Sequence, residues 1–199
     1  MSKLHPTLWR TCRVLAGPTR LKLFRRIVDR PGQTVTGLAG QLDISIPRAS
    51  QELRRLQSRG LVQASRRNRN VVYRPVADSL VSSAPPLLAA MQETFGRFPE
   101  DRDDDIIRAA RGLSHARRLV LMRLMQIGAL DEETLSDLSG VADAALHRHL
   151  RILETAGMAE RRNGVWQAAS PSHPLARALL DLLQAGRKPV RQADSAPAS

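Results

Sequence analysis

Residues 45–60 of the chain read SIPRASQELRRLQSRG, and this stretch decides the fold class. Apolar side chains recur in it at i, i+4 and i+7, namely Ala49, Leu53 and Leu56. That period predicts a helix over 46–59 with one face in the core. We expect Ser45 to cap its first turn and Gly60 to end it in the left-handed conformation. The polar residues left for the outward face are Arg48, Ser50, Gln51, Arg54 and Arg55.

Two further helices are predicted in front of this stretch. The first covers Arg20–Asp29 and ends at Arg30-Pro31-Gly32, a combination that stops helices. The second is a short apolar helix over 38–42, for which Thr36 is a plausible cap. A tight turn at Asp43-Ile44-Ser45 then leads into the helix over 46–59. A short helix, a tight turn and a second amphipathic helix together predict a helix-turn-helix.

After Gly60 the apolar period changes from that of a helix to that of strands. Two short runs, 61–65 and 71–74, flank a polar loop whose residues are Arg66, Arg67, Asn68, Arg69 and Asn70. A hairpin with three arginines at its tip suits a phosphate backbone or a minor groove. We interpret 61–75 as a wing that contacts DNA. An ordinary solvated hairpin turn is the alternative.

In the order and spacing of three short stretches, the chain resembles the ArsR-type (ArsR/SmtB) winged helix-turn-helix regulators. These are LAGPTRL at 15–21, Leu38-Ala39 to Leu42, and SQELRRL at 50–56 followed by Gly60-Leu61-Val62. The resemblance covers residues 8–95 and recurs more weakly over 104–185. It implies that 46–59 is a recognition helix, and that helices near 8–16 and 85–96 form a dimer face.

An internal repeat organises the chain into two units. A shift of 98 residues aligns Arg20-Leu21 with Arg118-Leu119, and a shift of 97 aligns Leu53 and Gly60 with Leu150 and Gly157. We therefore predict a mainly α protein with small β-hairpin wings, built from tandem winged helix-turn-helix domains at 1–97 and 98–186. Residues 187–199 have almost no apolar content and are expected to be a disordered tail. The acidic run over 100–105 is interpreted as a solvated helix start, with an interaction surface as the alternative.

The second unit keeps this pattern and loses part of the basic chemistry. Its counterpart of the recognition helix is 142–155, and its hairpin turns at Asn163-Gly164, a strong hairpin signal. Asp143 and two alanines stand at the start of the helix, where they offer little to base edges. The remaining candidates for DNA contact are His147, Arg148 and Arg151. We expect this unit to be at least partly structural, and equal DNA binding by both units is the alternative.

The net charge of +12 indicates a polyanionic partner. Residues 1–97 hold 17 Lys and Arg against 5 Asp and Glu, whereas residues 98–199 hold 14 of each, so the excess lies in the first unit. An arginine-rich composition alone does not produce that asymmetry. No apolar run approaches the ~18–20 residues of a membrane span, and Met1–Arg10 is too polar for a secretory signal. We therefore expect no contact with a membrane, and we expect a cytoplasmic location.

Metal, cofactor and catalytic functions are not expected from this sequence. Many ArsR-type regulators bind metals through paired cysteines on the short helix, but 38–42 contains none. His147 and His149 are two residues apart on a helix, so they point to different faces and cannot chelate together. No phosphate-binding glycine loop or nucleophile motif is present, which argues against an enzyme. Cys12 is interpreted as packing, with a thiolate switch stabilised by nearby arginines as the alternative.

The sequence thus predicts a sequence-specific, DNA-binding transcriptional regulator. A repressor is the favoured form, and the sequence leaves repression and activation open. Its partner is double-stranded DNA, and its assembly is an intrachain pseudo-dimer or a homodimer. Contacts are assigned to Ser45, Arg48, Ser50, Gln51, Arg54, Arg55, Arg66, Arg67, Asn68, Arg69, Arg148 and Arg151. The alternative is a winged-helix interaction or scaffold module with only nonspecific affinity for DNA.

Overall fold

The first part of the chain folds as five helices around a small sheet. The computed structural model describes residues 8–185, and we call 8–97 the first half and 98–185 the second half. In order, the elements of the first half are α1 (Leu8–Leu15), α2 (Pro18–Asp29), β1 (Gln33–Thr34), α3 (Val35–Gln41), α4 (Ile46–Gln57), β2 (Gln63–Arg67), β3 (Asn70–Arg74) and α5 (Ala84–Arg97).

The start of α4 agrees with its sequence, whereas the start of α3 does not. The Ser45 hydroxyl accepts a hydrogen bond from the Arg48 N–H at 3.4 Å, which confirms the predicted cap. The cap of α3 is Thr34 rather than Thr36, with Oγ1 accepting from the Gly37 N–H at 3.1 Å. The prediction for Thr36 was wrong because Thr34 has the extended backbone that a cap needs (φ −83°, ψ 160°).

The hairpin is longer, and its turn tighter, than the sequence suggested. β2 and β3 pair antiparallel from Gln63 opposite Arg74 to Arg67 opposite Asn70. The turn therefore consists of Asn68 and Arg69 alone, with Asn68 at φ 57°. The five-residue loop predicted over 66–70 was wrong, because both strands continue their ladder into it. β1 was not predicted, and it pairs with the other edge of β3 to give the order β1-β3-β2.

The second half repeats this order of elements with one reduction. After a short 3₁₀ helix (Glu100–Arg102), its elements are α6 (Asp103–Gly112), α7 (Ala116–Met125), α8 (Glu132–Ser139), α9 (Asp143–Thr155), β4 (Ala159–Arg162), β5 (Val165–Ala168) and α10 (Pro174–Ala185). A single bridge between Leu130 and Trp166 replaces the strand pairing that β1 makes. Asn163 (φ 50°) and Gly164 (φ 84°) form the predicted two-residue turn. The described residues are thus mainly helical, with two small antiparallel sheets.

The two halves also repeat individual hydrogen bonds. In the first half, the Arg20 guanidinium donates to the carbonyls of Val14 at 2.7 Å and Arg13 at 3.2 Å. In the second half, Arg118 donates to the carbonyls of Gly112 at 2.7 Å and Arg111 at 2.8 Å. All three positions in the second set lie 98 residues after those in the first. The repeat seen in the sequence therefore extends to side-chain geometry.

Equivalent helices of the two halves pack against each other. α1 packs on α6, and α5 packs on α10, so each helix meets its counterpart from the other half. The buried apolar residues of both halves form one continuous cluster. Most contacts between the halves come from these two pairs, rather than from α5 and α6, which follow each other along the chain.

The acidic run over 100–105 leads into α6, which begins at Asp103 as predicted. Asp101 and Asp104 are exposed to solvent, whereas Glu100 and Asp103 bind the first half. Arg25 donates to the Asp103 carboxylate and to the Phe98 carbonyl at 3.0 Å, and both charged side chains are almost fully buried. Glu100 pairs with Arg26 at 2.7 Å. Asp103, Asp104 and Asp105 all lie in the first turn of α6, although no side chain caps that helix by a hydrogen bond. The ion pairs of Asp103 and Glu100 could not be predicted from composition, because their arginine partners lie more than seventy residues earlier in the chain.

No helix within residues 8–185 is both long enough and apolar enough to cross a bilayer. The tail that we predicted to be disordered, 187–199, lies outside the described residues, and so do residues 1–7.

Candidate nucleic-acid interface

One side of α4 is apolar and buried, and the opposite side carries exposed polar residues. The side chains of its core face are completely buried: Ala49, Leu53 and Leu56. At about 100° per residue, Gln51 occupies the middle of the outward face. Arg54 lies on one flank, and Arg48 and Arg55 lie on the other. All four are exposed, so the predicted outward face of this helix is confirmed as a surface.

The two predicted serines have different surroundings from these four residues. Ser45 is exposed, but its hydroxyl is already used to cap α4. Ser50 is half-buried on the edge of the outward face. Neither serine is therefore as free to reach a ligand as Gln51 or Arg54. The side chains of Gln51 and Arg54 make no hydrogen bond to another residue within 8–185.

The remaining arginines of α4 are held in place by the protein. Arg48 donates to the Thr19 hydroxyl of α2 at 3.2 Å. Arg55 donates to one oxygen of the Glu52 carboxylate at 2.9 Å, and Arg20 donates to the other at 2.6 Å. Glu52 is nearly buried (9 % exposed), so its charge is shared by two guanidinium groups. These contacts restrict the flexible arginine side chains before any ligand binds.

The hairpin tip carries three exposed arginines in a defined arrangement. Alternate strand residues point to opposite faces of a sheet, so Arg66 and Arg67 lie on opposite faces of the ribbon, opposite Val71 and Asn70 respectively. Arg69 occupies the turn beside Asn68. None of the three makes an ion pair with a residue in the described part of the chain. The tip therefore presents positive charge on both faces and at its end.

The charge of this region is strongly one-sided. Residues 44–77 contain eight arginines and a single acidic residue, Glu52. Because Glu52 is nearly buried and paired twice, it does little to offset the field outside the protein. α4 and the hairpin thus each expose strong positive charge, which favours a polyanion.

The corresponding surface of the second half is weaker. Arg148 and Arg151 lie on the outward face of α9 and are exposed, as predicted. The positions equivalent to Arg48 and Arg55 hold Ala145 and Ile152. The arginines of the second hairpin face carboxylates: Arg162 is 2.9 Å from Glu160, and Arg161 is 3.6 Å from Glu132.

A buried histidine takes the place of Glu52 in the second half. His149 is 3 % exposed, and Arg118 Nη1 lies 3.4 Å from its Nδ1. The ring of His115 packs on it with a centroid distance of 4.8 Å. Burial, followed by the charge of Arg118, lowers the pKa of His149 to about 4. The imidazole is therefore neutral at neutral pH, and Arg118 has no carboxylate partner in the described residues.

Cys12 is packed in the core between the halves. It is completely buried, and burial raises the pKa of its thiol to about 12. The charged group that acts on it is Arg118 of the second half, whereas Arg10 and Arg13 lie over the ring of Trp9. The thiolate switch that we kept as an alternative is contradicted, because the thiolate is strongly disfavoured in this environment.

The histidines of α9 point in different directions, as their spacing predicted. His149 is buried, whereas His147 is exposed and lies 2.7 Å from Glu132. His173 of the second half stacks on Phe98 with a centroid distance of 4.9 Å. Within residues 8–185, no three His, Cys, Asp or Glu side chains converge in a way that could hold a metal ion.

Comparison with protein-family models, curated proteins and solved structures gave no match for this chain. Arguments about its function therefore depend on its own residues.

Sequence reasoning missed the residues that position the interface. Arg20 and Glu52 support Arg55 from behind, and Arg25 with Asp103 joins the halves. Their signal was partly present, since Arg20 aligns with Arg118 in the internal repeat. A charged residue that recurs on an otherwise apolar helix face indicates a structural partner, although the sequence does not say which one.

Proposed function

We propose that the chain is a DNA-binding protein made of two tandem winged helix-turn-helix units. The first half is its main DNA-binding unit. The observation that carries the proposal is the charge of α4 and the β2–β3 hairpin: residues 44–77 hold eight arginines, seven of them exposed, and one shielded carboxylate. The order of helices and strands in each half, with a hairpin directly after α4 and after α9, supports this assignment.

In this proposal, α4 enters the major groove. A groove about 12 Å wide accepts one helix, and side chains of the outward face then meet base edges. The side chains of Gln51 and Arg54 make no hydrogen bond to another residue within 8–185, so they are assigned to bases, where Gln pairs with adenine and Arg with guanine. Arg48 and Arg55 are hydrogen-bonded to Thr19 and Glu52, and they are assigned to phosphates. Phosphate contacts fix the position of a protein on the duplex and do not discriminate between sequences.

The hairpin is assigned to the backbone and the adjacent minor groove. With Arg66 and Arg67 on opposite faces and Arg69 at the end, the tip meets phosphates on both sides when it enters a groove. Asn68 holds the tight turn with a positive φ and brings Arg69 to the tip. Arg148 and Arg151 of the second half are secondary contacts at most, because the arginine positions that flank them have been lost.

We infer further that the two halves form an intrachain pseudo-dimer. α1 packs on α6 and α5 on α10, so the surfaces that ArsR-type regulators use for dimerisation are occupied within one chain. Sedimentation-velocity ultracentrifugation tests this inference. A monomer of 22.0 kDa supports it, and a homodimer overturns it.

By resemblance to the ArsR type, the activity is assigned to transcriptional repression through occupation of an operator. Selection of bound duplexes from a random pool tests sequence specificity, and a reporter placed behind the selected site tests repression. A single enriched motif is expected. Binding without any enriched motif would instead favour an interaction or scaffold module with nonspecific affinity.

A matched pair of variants tests the surface itself. Arg48→Ala with Arg54→Ala removes two charges from α4 and is expected to weaken binding to the selected duplex at least ~100-fold, since good base and phosphate contacts contribute about 1–3 kcal/mol each. Arg117→Ala with Arg123→Ala removes two exposed charges from α7 and serves as the control. Equal losses in both variants would show that charge alone, rather than this surface, determines binding.

A further inference from the structure

A groove of about 800 Å³ lies between α6 and α9 in the second half. Guanidinium groups line both of its walls, from Arg108 and Arg111 on α6 and from Arg148 and Arg151 on α9. Two isoleucines add apolar surface: Ile107, which is 5 % exposed, and Ile152, which is half-buried. The other lining residues are Asp104, Ala144, His147 and Thr155. The groove thus combines four cationic groups with an apolar floor.

Most of the positive charge in this groove is not balanced by the protein. Arg111, Arg148 and Arg151 form no ion pair with any residue in 8–185, whereas Arg108 lies 2.8 Å from Asp105. Asp104 is the one carboxylate among the lining residues and is exposed, and the imidazole of His147 lies 2.7 Å from Glu132. Arginines held along one concave surface repel each other unless an anion is present.

Two residues of the groove differ in type from their counterparts in the first half, where α4, the counterpart of α9, faces DNA in our proposal. Ile152 stands where α4 has Arg55, and Ile107 stands where α1 has Trp9. The exchange of an arginine for isoleucine removes a phosphate contact from the outward face of α9. It also supplies apolar surface directly beside Arg148 and Arg151, which a duplex backbone does not need.

We propose that this groove binds a small amphipathic anion, a carboxylate or sulfonate carried on an aliphatic or aromatic body. Guanidinium groups bind carboxylates through paired hydrogen bonds, and the apolar body packs on the two isoleucines. The volume lies within the ~300–1,000 Å³ typical of small-molecule sites. This inference does not depend on DNA binding by the first half.

The test uses the full chain and a fluorescent amphipathic sulfonate, 8-anilinonaphthalene-1-sulfonate, with displacement by decanoate. Decanoate is expected to displace the probe, whereas decan-1-ol, which lacks the charge, and butyrate, which lacks the apolar length, are not. Displacement by decan-1-ol as readily as by decanoate would overturn the proposal, because the arginines would then contribute nothing.

Two variants of equal charge locate the site. Arg111→Glu is expected to weaken decanoate binding about tenfold or more, since it replaces one guanidinium of the groove with a carboxylate. Arg13→Glu, at the equivalent position of α1, makes the same change outside the groove and is expected to leave binding unchanged. Ile152→Ser tests the floor independently and is expected to weaken decanoate binding as well. Equal effects of the two Glu variants, or no effect of Ile152→Ser, would overturn the proposal.

Duplex DNA is the competing occupant, and the same variants distinguish it. If a duplex displaces the probe and Arg111→Glu lowers duplex affinity more than Arg13→Glu does, the groove is a nucleic-acid surface and the proposal is wrong. The α4 variant Arg48→Ala with Arg54→Ala is expected to lose duplex binding and to keep displacement by decanoate. Duplex binding tests the DNA proposal and displacement by decanoate tests the groove proposal, so failure of one can be distinguished from failure of the other.

Discussion

Arg118 lies 3.4 Å from Nδ1 of His149 in the second half, at the position where Arg20 lies 2.6 Å from the Glu52 carboxylate in the first. One nearly buried arginine therefore has an anionic partner, while its counterpart has a neutral ring. The pKa of His149 is lowered to about 4, first by burial and then by the charge of Arg118. A protonated imidazole would lie buried beside the Arg118 guanidinium, so the folded second half favours the neutral ring.

Stability is expected to fall as the pH is lowered from about 6.5 towards 4. In that window the unfolded chain binds a proton at His149 that the folded chain excludes, so the contribution of this residue is complete above its unfolded pKa and is lost on acidification. His149→Gln removes this term. The difference between urea unfolding free energies at pH 7 and pH 4.5 is expected to shrink by on the order of 1–3 kcal/mol in the variant.

The control for this experiment is His115→Gln. The pKa of His115 is also lowered, but its side chain is exposed, so removing it is expected to change the pH dependence less. An unchanged pH dependence in His149→Gln would show that the histidine is not the group responsible.

The buried pair of Arg25 and Asp103 is expected to hold the halves together. Asp103→Asn leaves the Arg25 guanidinium buried without a charged partner, a change that costs about 3–5 kcal/mol in comparable pairs. Calorimetric unfolding is expected to show a large loss of Tm, or two separated transitions. Asp104→Asn, on the exposed neighbour, is expected to have little effect. Equal behaviour of the two variants would rule out a structural role for the pair.

Gly112 ends α6 at a point where the chain packs very closely. A Cβ placed there would lie 2.7 Å from Met158 Sδ and 2.8 Å from Ala156 Cβ. Gly112→Ala is therefore expected to destabilise the fold by about 1–3 kcal/mol, as overpacking does. Gly96→Ala in α5 meets nothing within 4 Å and should stabilise its helix by up to about 1 kcal/mol. Chemical denaturation compares the two substitutions directly, and equal effects would contradict the assigned contact.

The wing arginines are expected to contribute to affinity without contributing to sequence preference. Replacing Arg66, Arg67 and Arg69 with alanine should weaken binding to all duplexes alike and reduce the slope of log K against log salt by about 2–3. Removing Arg117, Arg123 and Arg177 from the second half is the matched control in net charge. Anisotropy titrations at several salt concentrations measure the slope, and an unchanged slope in the wing variant would contradict the assignment.

The elements with a strong apolar period were predictable from sequence, and those formed by distant contacts were not. α4 and the turn at Asn163-Gly164 were predicted because each has a local signal in its own residues. β1 is only two residues long, so it has no period of its own, and it exists because β3 offers an open edge. The cap of α3 was misplaced for the same reason, since Thr34 ends that strand.

The exposed residues of the candidate interface were predictable from sequence, but the hydrogen bonds that hold them and the helices beneath them in place were not. Exposed arginines on α4 follow from the helical period once Leu53 and Leu56 are placed in the core. The hydrogen bonds of Arg20 with Glu52 join residues 32 positions apart, and those of Arg25 with Asp103 join residues 78 positions apart. Pairings at such distances depend on how the helices pack. The groove beside α9 belongs to the same class, because it forms only where α6 meets that helix.

Pairing α1 with α6 and α5 with α10 inside one polypeptide has an evolutionary consequence. In a homodimer every substitution appears twice, so a residue that suits one subunit is imposed on the other. In the proposed pseudo-dimer the two repeated units can differ, and they do differ at Glu52 and His149 and at Arg55 and Ile152. If the proposed function holds, such a molecule is expected to bind an asymmetric DNA site in one orientation only.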